Sequence, residues 1–188
     1  MNRNAFLPIV LVLMSSSIFA DVNNANSTPS NTVSSSAQKE HRDAIEIIIQ
    51  DHNHIRKMIA QLDKNLGSNI EQSHSIFNEL KDFLTKHETM EQKVWYPELE
   101  KNDKLKDIIS KLKKEEQDAS DEIKEIDDTK DDKKWASKVK KLTKDVGHHA
   151  KDEETKLFPK VRKTLNKSSL EELGDKLNDY RQQNDMQS

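Results

Sequence analysis

Residues 87–97 read HETMEQKVWYP and residues 149–159 read HAKDEETKLFP, two copies of one pattern sixty-two residues apart. Each copy has a His, a Glu four residues later, and a Pro ten residues on with an aromatic just before it. On an α-helix, positions i and i+4 share a face, one above the other. Each copy therefore points one imidazole and one carboxylate the same way. Two such helices facing each other would bring two His and two Glu to one point, which is the raw material of a metal site.

The flanking sequence predicts those helices. The chain has only three Gly and four Pro in 188 residues, and 35% of it is charged, a composition that suits a helix bundle and has too few breakers for an all-β fold. A first helix is expected from about Ala37 to Asn65, stopped by Gly67 as its C′ residue. Its apolar series Ile45, Ile48, Ile55, Ile59 and Leu62 steps by three and four, with His52 filling the one gap. A second is expected from about Ile70 to Glu100, capped by Asn69, with the series Phe77, Leu80, Leu84, His87, Glu91 and Val94. Pro97 should bend that helix or begin its termination.

A third helix is expected from about Asp103 to Asp127, with the series Leu105, Ile109, Leu112, Glu116, Ala119, Ile123 and Ile126. Laid on the first helix, Glu116 falls on His52, Ala119 on Ile55, Ile123 on Ile59 and Ile126 on Leu62. After a charged loop from Asp127 to Lys134, a fourth helix runs to about Leu165, with the series Trp135, Val139, Leu142, Val146, His149, Glu153 and Leu157. Ser168 and Glu171 then form a capping-box pattern for a short tail helix, whose Leu170, Leu173 and Leu177 can pack on the bundle end. The expected fold is all-α: an up-down-up-down four-helix bundle over 39–166, followed by a C-terminal helix and tail over 167–188. His52 to His87 spans 35 residues and Glu116 to His149 spans 33, so the hairpins place their polar interruptions at about one level.

The front of the chain is of another kind. Residues 1–20, MNRNAFLPIVLVLMSSSIFA, have Arg3 as a positive end, a short apolar run from Phe6 to Met14, and small residues up to Ala20. This fits a secretory signal peptide, and the run is short for a bilayer-spanning anchor. The expected location is periplasmic or secreted, with no membrane span after cleavage. Residues 21–38, rich in Ser, Asn and Thr, read as a flexible leader. A formal net charge of −3 argues against nucleic acid as a partner. The absence of Cys excludes disulfides, thiolate metal sites and Cys nucleophiles.

The convergent set is thus His52, His87, Glu91, Glu116, His149 and Glu153. Burying a lone carboxylate costs several kcal/mol unless it is paired or metal-bound, so Glu91 weighs more than His87. Three imidazoles and three carboxylates exceed the four ligands of a structural zinc site. Mixed nitrogen and oxygen donors suit iron or manganese, with zinc possible, and carboxylates can bridge two metals in a bundle core. The competing interpretation is a buried His–Glu hydrogen-bond network without metal.

At these residues the chain resembles the hemerythrin-like (HHE cation-binding) family, over roughly Ile45 to Leu165. The matching motifs are Asp51-His52, His87 with Glu91 before Tyr96-Pro97, and His149 with Glu153 before Phe158-Pro159. The resemblance implies a four-helix bundle holding an oxo- or hydroxo-bridged di-iron centre, with Glu91 and Glu153 as bridges and His52, His87 and His149 as terminal ligands. The third helix departs from the family pattern: hemerythrins proper carry two His one turn apart where this chain has Glu116 and Ser120. Glu116 is expected to substitute as a carboxylate ligand, with Gln117 the rival off the apolar series. Such a set fills most of the roughly twelve donor positions of two octahedral metals and leaves one or two for O2, NO or peroxide. An anionic ligand favours the ferric state and weakens reversible O2 carriage.

Three functions compete. The first is an exported di-iron protein binding O2, NO, peroxide or iron. The second is an enzyme, either a di-iron oxidase or peroxidase or an iron-centre repair protein. The third is a metal-free helical interaction module. Other residues carry little signal. His54 and His148 are expected on the surface, Glu88 is expected in solvent, and Trp95, Tyr96 and Phe158 are expected to pack the bundle end; His41 and His74 say nothing.

Overall fold

The protein's computed structural model describes residues 42–186. The signal segment, the leader and the part of the first expected helix before Arg42 lie outside the described residues.

The described residues are all-helical. Helix α1 spans Ala44–Asn65, α2 Ile70–Met90, α3 Tyr96–Leu99, α4 Asp103–Asp127, α5 Asp132–Asp152, α6 Phe158–Thr164 and α7 Lys167–Gln183. A π-helical turn, Glu91–Trp95, joins α2 to α3, and a second, Glu153–Leu157, joins α5 to α6. Two long helices are thus each continuous through a π-turn. The other connections, 66–69, 100–102, 128–131 and 165–166, are short, which makes successive helices antiparallel. Helix α1 packs on α2 and α5, and α4 packs on α5 and α2, the neighbour relations of an up-down-up-down bundle.

The caps follow the expected chemistry with three changes. Asn69, Asn102 and Asp131 accept from backbone N–H groups in the first turns of α2, α4 and α5. Helix α1 starts at Ala44, later than expected, because Asp43 caps it by accepting from Glu46 N–H. Gly67 does not adopt a left-handed conformation; the chain leaves α1 through Leu66 in right-handed geometry, with Asn69 N–H closing onto the Asn65 carbonyl. The tail helix is capped by Asn166, two residues before the expected Ser168.

The apolar series build the core. Leu105, Ile109, Leu112, Glu116, Ala119, Ile123 and Ile126 are the buried residues of α4, the predicted set without change. Ile45, Ile48, Ile55 and Leu62 of α1 are buried, as are Phe77, Leu80 and Leu84 of α2. Each such side chain contributes about 1.5–3 kcal/mol by leaving water. Gly147 has open space where a Cβ would stand, so no close helix approach requires it. Gly174 is different: a Cβ there would lie 2.0 Å from the Arg42 carbonyl oxygen. Helix α7 therefore lies against the start of α1, and its Leu170, Leu173 and Leu177 are buried along that helix as well as near the bundle end.

The π-turns have a local cause. In a regular α-helix the Pro97 ring would collide with the Lys93 carbonyl, and that carbonyl would lose its N–H donor. Widening the turn lets Tyr96 N–H reach back five residues to the Glu91 carbonyl. Phe158 N–H reaches the Glu153 carbonyl in the same way, one residue before Pro159. The first of these helices ends at Leu99, two residues past Pro97, whereas the second runs on to Thr164 past Pro159. Both π-turns begin at a candidate ligand, and such turns are frequent at functional sites.

Candidate metal centre

All six candidate ligands meet in the middle of the bundle. His52, His87, Glu91, Glu116 and Glu153 are buried, and the His149 side chain is 12% exposed. Donor atoms of His52, His87 and Glu91 lie close enough to hold one ion, and those of Glu91, His149 and Glu153 close enough to hold another; Glu91 is common to both groups. Glu153 Oε2 also stands 3.3 Å from His52 Nε2, and Glu91 Oε2 stands 3.5 Å from His87 Nε2.

The hydrogen bonding of these atoms decides what the cluster suits. His52 Nε2, His87 Nε2, His149 Nε2, Glu153 Oε2 and both Glu91 oxygens are buried without a hydrogen-bond partner. A buried unsatisfied polar group costs about 1–3 kcal/mol. A finished His–Glu hydrogen-bond network would not leave six such atoms facing one another, whereas a cation between them would satisfy all six.

Behind the inward nitrogens runs a second layer. His52 Nδ1 is 2.9 Å from Glu154, which also accepts from Arg56 at 2.6 Å. His149 Nδ1 is 3.3 Å from Glu115, and Lys111 pairs with Glu115 at 2.8 Å. His87 Nδ1 is 3.4 Å from Asp51, whose other oxygen is 3.1 Å from Arg181. His52 and His149 thus hold their outer nitrogens by hydrogen bonds to carboxylates and offer their inner ones, the usual way a protein fixes the tautomer of a metal-binding His, while His87 Nδ1 faces Asp51 at ion-pair distance without a hydrogen bond.

Glu116 reaches the cluster but is held differently. Its Oε1 accepts from the Tyr96 hydroxyl at 2.5 Å and its Oε2 from Gln92 at 2.7 Å. Oε1 is 3.8 Å from His149 Nε2, and each oxygen keeps a further lone pair. Gln117, the rival, is exposed and donates to Asp121.

The charges in this buried site are unequal. Burial, with the nearby Glu153 and Glu116, pushes Glu91 well above the usual carboxylate range. Burial also opposes ionisation of Glu153, but the adjacent His52 imidazole, with the His149 and His87 rings, outweighs it and holds Glu153 low. Desolvation pulls His87 down. It pulls on His52 and His149 too, yet their carboxylate partners raise both. Glu88 is pushed up to about 9, by burial first and by Glu116 second.

Several residues depart from expectation. Glu88 is buried rather than in solvent and lines a cavity of about 250 Å3 that opens beside His52, His87, Glu116 and His149. Tyr96 is no mere packing residue, since its hydroxyl donates to Glu116 and stands 3.2 Å from Glu153. Phe158 stacks on His52 at 6.2 Å, and Trp95 meets Phe158 edge-on. His148 is exposed as expected, while His54 is half-buried against Phe83, away from the cluster. His74 stacks on Trp135 at the far end of the core. Glu115, Glu154 and Gln92 were not anticipated. Glu115 had a signal: the alignment that puts Glu116 on His52 also puts Glu115 on Asp51.

Among known families, the model described as the Hemerythrin HHE cation binding domain matches residues 43–161. Comparison with curated proteins and with solved structures gave no match. The matched region runs from the cap of α1 into α6, contains every candidate ligand and covers more than half of the chain, which therefore belongs to the hemerythrin HHE cation-binding domain family.

Proposed function

We propose that this protein holds a non-haem di-iron centre and uses it to bind a small ligand, O2, NO or peroxide. The observation that carries the proposal is the set of six buried donor atoms without partners, arranged as two groups that share Glu91. His52, His87 and Glu91 would hold one ion, and Glu91, His149 and Glu153 the other, with Glu116 beside His149. A di-iron pair in this place supplies two adjacent Lewis-acidic, redox-active ions for the ligand. Manganese or zinc would fit the same donors less selectively.

The chain's own residues set the terms. The Nδ1 partners orient the imidazoles before any ion arrives. Tyr96 and Gln92 hold Glu116 against the His149 side of the cluster. The cavity gives a small molecule room, and its wall combines Ile55, Leu84, Ala119 and Val146 with the charged Asp118, Glu122, Lys141 and Asp145. Glu88, which burial and then Glu116 raise above the usual carboxylate range in the metal-free protein, also lines that cavity.

The second reading is an enzyme turning over O2 or peroxide, favoured by one observation: the buried Tyr96 hydroxyl lies against two candidate ligands at once. Anaerobic titration with ferrous iron, followed by O2, NO or peroxide under a visible spectrometer, separates the two. A binder gives a stoichiometric spectral change that persists; an enzyme consumes many equivalents. No spectral change with any of the three, in iron-loaded protein, would refute both. Export is part of the proposal, on the strength of residues 1–20, and the N-terminus of the mature protein tests it: Asp21 is expected, and a retained Met1 would contradict it.

A further inference from the structure

We propose that α7 is a working part of the metal centre, with Arg181 as a positioning residue for His87. The inference rests on the metal reading above. It concerns a helix that begins at Lys167, beyond the family match, which ends at residue 161.

The three imidazoles share one arrangement: ring, carboxylate, cation. In two of them the cation is solvent-exposed. The Arg56 side chain behind Glu154 is 40% exposed, and that of Lys111 behind Glu115 is 53% exposed. Water can replace either at small cost. The third is different. The Arg181 side chain is 10% exposed and Asp51 is fully buried. An Asp in that setting needs its cation, because removing one partner of a buried pair leaves the other uncompensated. Asp51 also faces His87 Nδ1, so its orientation sets the plane and tautomer of the ring whose Nε2 stands at the centre.

The docking of α7 supports the assignment. Gly174 abuts the start of α1, near Arg42 O and Ala44 N, and Arg181 meets Asp51. Gly174 to Arg181 is seven residues along α7, and Ala44 to Asp51 is seven along α1, so α7 runs parallel to α1 with about two turns between the contacts on each helix. At Gly174 any side chain would collide with backbone, and this fixes the register that delivers Arg181 to Asp51. Leu170, Leu173 and Leu177 hold the helix down between and around these points.

The test uses the full chain with cobalt(II) as a probe, added anaerobically and followed by its visible bands. Variants are Arg181→Gln, Arg181→Lys, Asp51→Asn, the Arg181→Gln/Asp51→Asn double, and Leu177→Ala as a packing control. Circular dichroism reports folding. Arg181→Gln should weaken cobalt binding about 10- to 100-fold and change the bands of one site, as loss of an outer partner does. Arg181→Lys should restore most of the affinity. The double variant should be little worse than Asp51→Asn alone, since both act through one ring. Leu177→Ala should lower the melting temperature and leave the bands alone. Arg181→Gln that is folded and binds cobalt like wild type overturns the proposal, as does Leu177→Ala reproducing its affinity loss. If Arg181→Gln does not fold, the ring nitrogens of His87 in metal-free Arg181→Met, which keeps an apolar stem of similar length without the charge, decide: their 15N signals should move from wild-type positions, and unmoved signals overturn the role. A wild type that takes up no cobalt refutes the metal centre itself, a result distinct from an unaffected Arg181 variant.

Discussion

Replacing Glu91 by leucine should stabilise the metal-free protein and abolish its stabilisation by metal. Glu91 is fully buried, and neither of its oxygens has a hydrogen-bond partner. Leaving such a group unsatisfied costs about 1–3 kcal/mol, and a leucine of similar bulk removes that cost. For a chain of this size 1 kcal/mol moves the melting temperature by about 2–4 °C, so the metal-free variant should melt roughly 2–12 °C above wild type. Metal acts the other way. At a free concentration of 100 times Kd, a bound ion stabilises the native state by about 2.7 kcal/mol. Wild type should then rise by roughly 5–11 °C on adding ferrous iron, and Glu91→Leu should not. The assay is thermal unfolding by circular dichroism, anaerobic, with and without ferrous iron. A metal-free Glu91→Leu melting several degrees below wild type would show that Glu91 stabilises the bundle without metal, and the reasoning would fail.

Further outcomes follow from the same geometry. Glu116→His should raise the reduction potential of the iron-loaded protein and lengthen the life of any oxygenated form, because a neutral donor replaces an anion; potentiometry showing no rise would remove Glu116 from the ligand set. Tyr96→Phe takes a donor from the buried Glu116 and Glu153 and should destabilise the metal-free protein by about 1–3 kcal/mol, read from denaturant melts. The pH dependence has a definite sign. Glu88 is raised from an ordinary 4.5 to about 9, so between those values the native state holds a proton the unfolded state has released. Stability of the metal-free protein should therefore fall as pH rises through that window, with Glu88 contributing up to about 1.4 kcal/mol per pH unit. Glu88→Gln should flatten the slope by that amount, and an unchanged slope would place Glu88 in solvent.

The bundle and its six inward polar residues could be read from sequence because period alone reveals them. A His or Glu that interrupts an Ile or Leu series must be buried with it, and helix geometry carries that inference without any contact being known. What supports the six was less visible. Asp51, Glu115 and Glu154 are each next to a candidate ligand in sequence but serve a ring on another helix, so their partners depend on how helices face one another. Tyr96 and Phe158 looked alike in the two motifs. Only the packing shows that Tyr96 faces Glu116 and Phe158 faces His52, each matching its aromatic to a different ligand. The π-turns hide behind ordinary helical spacing, with Tyr96-Pro97 and Phe158-Pro159 as their one sequence sign. Glu88 follows His87 and lies off the apolar series, which reads as solvent; the packing of α4 against α2, near Glu116, is what buries it. Arg181 could not have been found, since the register of α7 on α1 comes from a backbone contact at Gly174.

The central claim is that the six inward residues hold two metal ions, and counting iron tests it most directly. The protein is loaded with ferrous iron without oxygen, freed of excess by gel filtration, and analysed for iron and protein together. The account predicts about two irons per chain in wild type and fewer than one in Glu91→Ala, whose missing carboxylate belongs to both donor groups. Fewer than one iron per chain in wild type, with no uptake of manganese or zinc in its place, would contradict it.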